Sequence, residues 1–170
     1  MRSFGQRLLG AAKLQAGVYE EVEADERAFG QTVIVVVSSS IAMAAGAAGS
    51  IGIAGLLSVA VTGIIGWAIW SALTYFIGAR LLPTPSTEAN WGQLLRTTGF
   101  ALTPGLIGIV GIAPALRGIS VVVALVWILA ASVVAVRQAL DYSSTGRALA
   151  VCFIGWTIYA GMLLAWISVA

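Results

Sequence analysis

No histidine occurs in the 170-residue sequence. Its absence removes the commonest general base, the commonest metal ligand and the usual axial ligand of haem-type pigments. A Ser–His dyad has no base to work with. The single cysteine, Cys152, leaves no partner for an intramolecular disulfide or a cysteine-based zinc site. Its apolar run reads as the setting of a buried, inert thiol. Charge is equally scarce. Nine basic and seven acidic residues make up 9% of the chain, whereas soluble domains carry about 25%. With 59% hydrophobic residues and a mean hydropathy of +0.98, too little polar surface remains for a water-facing globule. The chain therefore reads as an all-α polytopic membrane protein. The basic residues are scattered and the net charge is +2, which speaks against nucleic acid as a partner.

From Gln31 to Ala79 there is no charge over 49 positions. A helix needs about 20 residues to cross the hydrocarbon core, so this stretch holds two. The break is expected in "GAAGSIG", where glycines 46, 49 and 52 weaken helix continuity. The predicted spans are about 31–48, 52–80, 94–114, 118–137 and 148–168. They form a five-helix transmembrane bundle over residues 31–170, behind an N-terminal segment of residues 1–30. The second span exceeds what the bilayer requires, which predicts tilt or projection from it. Prolines in "RLLPTPSTEAN" end that helix.

Lys and Arg set the orientation. With five spans, Arg2, Arg7, Lys13 and Arg27 share one side with Arg80, Arg96, Arg137 and Arg147, and only Arg117 lies opposite. The N-terminus is expected in the cytoplasm and the C-terminus across the cell's inner membrane.

Nine of the sixteen charges fall in residues 1–30. The first 16 residues contain no continuous apolar stretch, so a cleaved signal peptide is not expected. On a helical wheel Phe4, Leu8, Ala11 and Ala12 share one side, with Arg2, Gln6 and Lys13 broadly opposite. Such an amphipathic interfacial helix would hold Arg2, Arg7 and Lys13 near anionic headgroups, each cation adding about 1 kcal/mol. The alternative is a short tail docked on its own bundle. "VYEEVEADERAFG" follows with five acids, either as a short acidic helix or as a solvated connector.

No Asp, Glu or Lys lies inside a predicted span. Pumps and proton-coupled transporters keep such groups because function demands them, so neither they nor intramembrane carboxylate chemistry is expected. No catalytic residue, cofactor or metal is foreseen. Small residues stand out instead. Ala54, Ser58, Thr62 and Gly66 recur every fourth position along span two, a stripe that permits close helix approach. It reads either as internal packing of the bundle or as a dimerisation or partner-docking face. Gly108 and Gly111 repeat the theme less regularly. Tyr75, Phe76, Trp91 and Tyr142 fit an inner aromatic belt and Trp166 an outer one, while Trp67, Trp70, Trp127 and Trp156 fall deeper.

The segment "NWGQLLRTTGFALTPG", residues 90–105, raises a different question. Asn90 and Gln93 have capping-box spacing, and Arg96 is expected toward headgroups. Pro104 and Gly105 are expected to kink the span, with Thr103 or a neighbouring helix satisfying the carbonyl that Pro104 frees.

Leu94, Leu95, Arg96, Gly99, Phe100 and Pro104 in "GQLLRTTGFALTPGL" resemble the membrane domain of the Ypt-interacting-protein (YIP) family, especially its short bacterial members. "YEEVEADERAF" and "SSTGRALAV" are similar to that family too, so the likeness covers about residues 18–165. It implies a five-helix membrane domain with a cytosolic N-terminus. Eukaryotic members are associated with Rab-type GTPases and with membrane shaping or trafficking. The long cytosolic N-terminal region of those proteins has no counterpart here, so a Rab-type GTPase is not an expected partner. The expected partners are the lipid bilayer and other membrane-protein subunits or a second copy. The expected role is a non-enzymatic scaffold or assembly subunit. The alternatives are a membrane-shaping or lipid-organising protein and a passage for a neutral or apolar solute.

Overall fold

Apolar helices with polar ends need only sharp stops and starts to become a bundle, and the sequence supplies them. The computed structural model describes residues 1–48 and 52–169, apart from the side chains of residues 163, 166, 167 and 169. The expected outer-belt position of Trp166 thus lies outside the described side chains. Every regular element among the described residues is helical. Two short helices come first, α1 (Phe4–Ala12) and α2 (Ala16–Ala24). Long helices α3 (Ala28–Ala48) and α4 (Ile53–Tyr75) follow, and α4 runs on through a π-turn at Phe76–Leu81. Then come α5 (Trp91–Phe100), a 3-10 segment at Thr103–Ile112, a second at Pro114–Leu116, α6 (Arg117–Ala139) and α7 (Thr145–Val169).

Among the described residues four stretches are long and apolar enough to cross a membrane: Ala28–Ala48, Ile53–Leu81, Trp91–Ile112 and Pro114–Ala139. α7, 25 residues long, occupies the place of the fifth expected span. The expected break falls between Ala48 and Ile53, although residues 49–51 lie outside the described ones.

Two helices end in the same way. At α1 the Gln15 amide donates to the Gly10 carbonyl and Leu14 to Ala11, both at 3.0 Å. At α6 Tyr142 donates to Arg137 and Asp141 to Gln138, both at 2.9 Å. These are Schellman closures, which require a left-handed residue, supplied by Leu14 (φ 57°) and Asp141 (φ 51°). Leucine is costly there, but its side chain packs on the cluster formed by Ala11, Val18, Tyr19 and Phe100.

The third span departs from the expected kink. The α-helix stops at Phe100, and Pro104 stands in the first turn of a ten-residue 3-10 helix. Pro104 and Gly105 thus mark a change of helix type rather than a bend in one helix. The carbonyl of Phe100, which Pro104 cannot serve, accepts from Thr103 Oγ1 at 2.7 Å. A 3-10 helix has about 3 residues per turn, so Gly105, Gly108 and Gly111 stack on one face. That face lies on Ser39, Met43 and Gly46 of α3. Backbone meets backbone: a Cβ on Gly46 would collide with the carbonyl of Gly108, and one on Gly111 would come within 2.9 Å of the Gly46 oxygen. The glycines that looked irregular on an α-helical period are regular on this one. In the 18-residue apolar window of the third span 61% of residues are buried, against 11% in that of Ile53–Leu81. The 3-10 segment is therefore the centre of the bundle, with α3 and α6 on its flanks.

Candidate functional site

Polar groups collect at one end of the bundle, where α1 and α2 dock as a hairpin. The capping box of α1 is closed, with Ser3 N–H donating to Gln6 Oε1 at 2.8 Å and Gln6 N–H to Ser3 Oγ at 3.3 Å. This places Arg7 one turn into the helix, facing α2. Its guanidinium is 2% exposed and turned into the hairpin. It donates to Glu21 at 2.9 Å, Asp25 at 2.7 Å and the side-chain oxygen of Gln31 at 3.0 Å. Arg2 also binds Glu21, at 2.7 Å, while remaining half exposed. Of the three expected interfacial cations, only Lys13 is exposed without an ion pair among the described residues. The docked-tail alternative describes α1 better than a free amphipathic helix does.

Arg96 on α5 also turns inward. It donates from Nε to the Val22 carbonyl at 3.1 Å and from Nη2 to that of Glu23. These carbonyls end α2 and have no partner within it, so a guanidinium there satisfies them and opposes the helix dipole. The capping box read from Asn90 and Gln93 is present, with mutual contacts of 2.7 and 3.0 Å. Gln93 further donates to Glu23 at 3.0 Å, and Gln138 to Glu20 at 2.6 Å.

Electrostatics follow from this wiring. Burial works to raise the Glu21 carboxyl, but hydrogen bonds from the Arg2 amide and the Arg7 and Arg2 guanidinium groups hold it down at about 2. Glu23 goes the other way. Burial, then the charges of Asp141 and Glu20, push it up to about 7 against the opposing pull of Arg96.

The loops close the same end. The Tyr142 hydroxyl lies 2.8 Å from the carbonyl oxygens of both Gly78 and Leu82, groups that the π-turn exposes. Arg147 donates to the Pro83 carbonyl at 3.1 Å. The N-terminal segment, the loop after α4 and the loop before α7 are thus joined to one another.

The stripe on α4 faces away from this assembly. Ala54, Ser58 and Thr62 are exposed on the flank, and the Thr62 hydroxyl is spent on the Ser58 carbonyl at 2.8 Å. Gly66 is half-buried, and a Cβ on it would come 2.7 Å from the Tyr159 hydroxyl of α7. There the stripe enters a lateral groove of about 290 Å³ between α4, α6 and α7, walled by Trp67, Trp70, Trp156 and Tyr159. Trp70 and Trp156 meet edge to face at 5.7 Å between centroids.

Internal packing uses another face of α4. Gly63 meets Ser40, Trp67 Nε1 donates to the Leu95 carbonyl at 3.1 Å, and Ser71 bonds Thr98 at 2.7 Å. Positions 63, 67 and 71 also recur every fourth residue, but the large ring of Trp67 hid that periodicity from a search for small residues. That ring covers Gly99, as Trp70 covers Gly155.

Among protein families, the model described as Yip1 domain matches residues 16–167. No curated protein and no solved structure matches the chain.

Proposed function

The chain belongs to the Yip1-domain family, and on that premise we propose that it is a non-enzymatic scaffold of the cell's inner membrane. In this reading α7 is the fifth span, the docked hairpin is cytoplasmic and the C-terminus lies opposite. The joining of the three cation-bearing segments at one end supports paired crossings between them, α3 with α4 and the third span with α6, which leaves Arg117 alone at the other end; α7, 25 residues long, would add the fifth crossing. The scaffold binds another membrane helix through α4.

The observation that carries this reading is the outward stripe of Ala54, Ser58 and Thr62 leading to Gly66 and the groove beside Tyr159. A helix face without large side chains allows the close backbone approach by which membrane helices associate. The bundle itself takes up only Gly66, against Tyr159 of α7, and leaves Ala54, Ser58 and Thr62 uncovered. A route for a neutral solute would need a polar cavity along the axis, where instead the glycines of the 3-10 segment meet α3 backbone to backbone.

Purification from native membranes in mild detergent tests the proposal. A stable complex with itself or with another membrane protein, lost in Ser58→Leu, is expected. A lone monomer in the wild type contradicts it.

A further inference from the structure

Two recesses meet over the exposed side chain of Leu9, which lines both. The larger, about 510 Å³, is an apolar trough between α1, the 3-10 segment and α6, walled by Leu8, Ala12, Pro104, Leu106, Ile107 and Trp127. Its volume falls within the roughly 300–1,000 Å³ of ligand clefts. The smaller, about 260 Å³, is a polar cup lined by Arg2, Gln6, Lys13 and Gln15. No acidic side chain lines either one.

The polar groups of the trough are already satisfied. Trp127 Nε1 donates to the Ala12 carbonyl at 2.8 Å, and Thr103 Oγ1 to Phe100 at 2.7 Å. What remains along its wall is hydrocarbon, which a saturated chain covers without leaving a polar group unpaired. The cup has the opposite chemistry. Arg2 is shared with Glu21 yet has a side chain 44% exposed, and Lys13 is exposed and unpaired among the described residues.

We propose that trough and cup together bind one anionic phospholipid of the surrounding bilayer. Its acyl chain lies along Pro104, Leu106 and Ile107, and its phosphate meets Lys13 with Arg2 alongside. The 3-10 segment leads from α1 into the apolar bundle, so a chain following it leaves the cup for the hydrocarbon. The charge on the cup selects the headgroup, and the trough holds the chain without regard to the head. The site lies on a different flank from the α4 stripe and does not depend on helix docking.

The test uses the full chain, delipidated in detergent and offered equimolar phosphatidylglycerol and phosphatidylcholine with identical acyl chains, with retained lipid counted by native mass spectrometry. One phosphatidylglycerol per chain is expected, preferred by about fivefold to 25-fold: both lipids carry the phosphate, but in phosphatidylcholine the choline cation offsets it, and each protein cation near an anionic lipid contributes about fivefold. Lys13→Gln should cut the preference about fivefold, whereas Arg117→Gln, which removes a cation far from the cup, should leave it unchanged. Equal retention of the two lipids would overturn the proposal. So would an unchanged preference in Lys13→Gln, or an equal loss in Arg117→Gln.

Discussion

Two glycines of one helix should respond to alanine with opposite signs. Gly46 and Gly30 both lie in α3. A Cβ at position 46 runs into the carbonyl of Gly108, whereas at position 30 nothing lies within 4 Å. The obstruction at 46 is backbone, so no rotamer relieves it and the 3-10 segment must move away from α3. Overpacking of this kind costs about 1–3 kcal/mol, and rigid contacts belong at the upper end. Replacing helical glycine by alanine returns about 1 kcal/mol, leaving Gly46→Ala less stable by about 2 kcal/mol. Gly30→Ala keeps only the gain, about 0.5–1 kcal/mol. For a chain of this size each kcal/mol moves the melting point by about 2–4 °C. Gly46→Ala should therefore melt about 4–8 °C below the wild type, and Gly30→Ala slightly above it. The chain carries its own reporter, because Cys152 is its one thiol and is 4% exposed. A thiol-reactive dye that fluoresces on labelling gives the melting curve in detergent. If Gly46→Ala melts at or above the wild-type temperature, the backbone contact between α3 and the 3-10 segment is not what holds the bundle's centre.

Removing the Arg7 guanidinium leaves Asp25 without its ion pair and Glu21 with Arg2 alone. The hairpin loses more than a surface ion pair would supply, because Arg7 is 2% exposed, but less than a fully buried pair would cost, because both carboxylates remain partly exposed at 20% and 12%. Arg7→Ala should free the hairpin, read as faster proteolysis between α1 and α2, while Lys13→Ala leaves the rate unchanged. The titration of Glu23 gives a pH dependence of definite sign. Its folded value, about 7, lies above the ordinary 4.5, so its contribution is fully present below pH 4.5 and is lost as pH rises through 7. Glu23→Gln, which can still accept from Gln93, should melt higher than the wild type at pH 8 and alike at pH 4.5. A difference that is the same at both values would contradict the assignment.

Much of the fold is written locally in the chain. The expected break in the long apolar run falls between Ala48 and Ile53, with Gly52 at the N-cap of α4, and the Asn90/Gln93 spacing closes a capping box whatever surrounds it. The remainder depends on partners distant in sequence. Arg7 sits on the edge of the wheel, and nothing within α1 says that Glu21, Asp25 and Gln31 will surround it. Arg96 looks like a headgroup anchor until the open end of α2 comes to rest on it. Gly105, Gly108 and Gly111 make no stripe at 3.6 residues per turn, and their alignment emerges only once Pro104 turns the chain into a 3-10 helix. The α4 stripe was visible as a pattern, but its direction was not: the choice between inside and outside came from Gly63, Trp67 and Ser71 claiming the interior.

The scaffold reading rests on what touches the outward face of α4 in the membrane. A photo-crosslinking amino acid at Ser58, compared with the same group at Leu125, an exposed position on α6, reports that directly in native membranes. A protein-sized adduct at position 58 and only lipid adducts at position 125 is the predicted result. Lipid adducts alone at both positions would mean that the face meets nothing but the bilayer, and the account of this protein as a scaffold would fail.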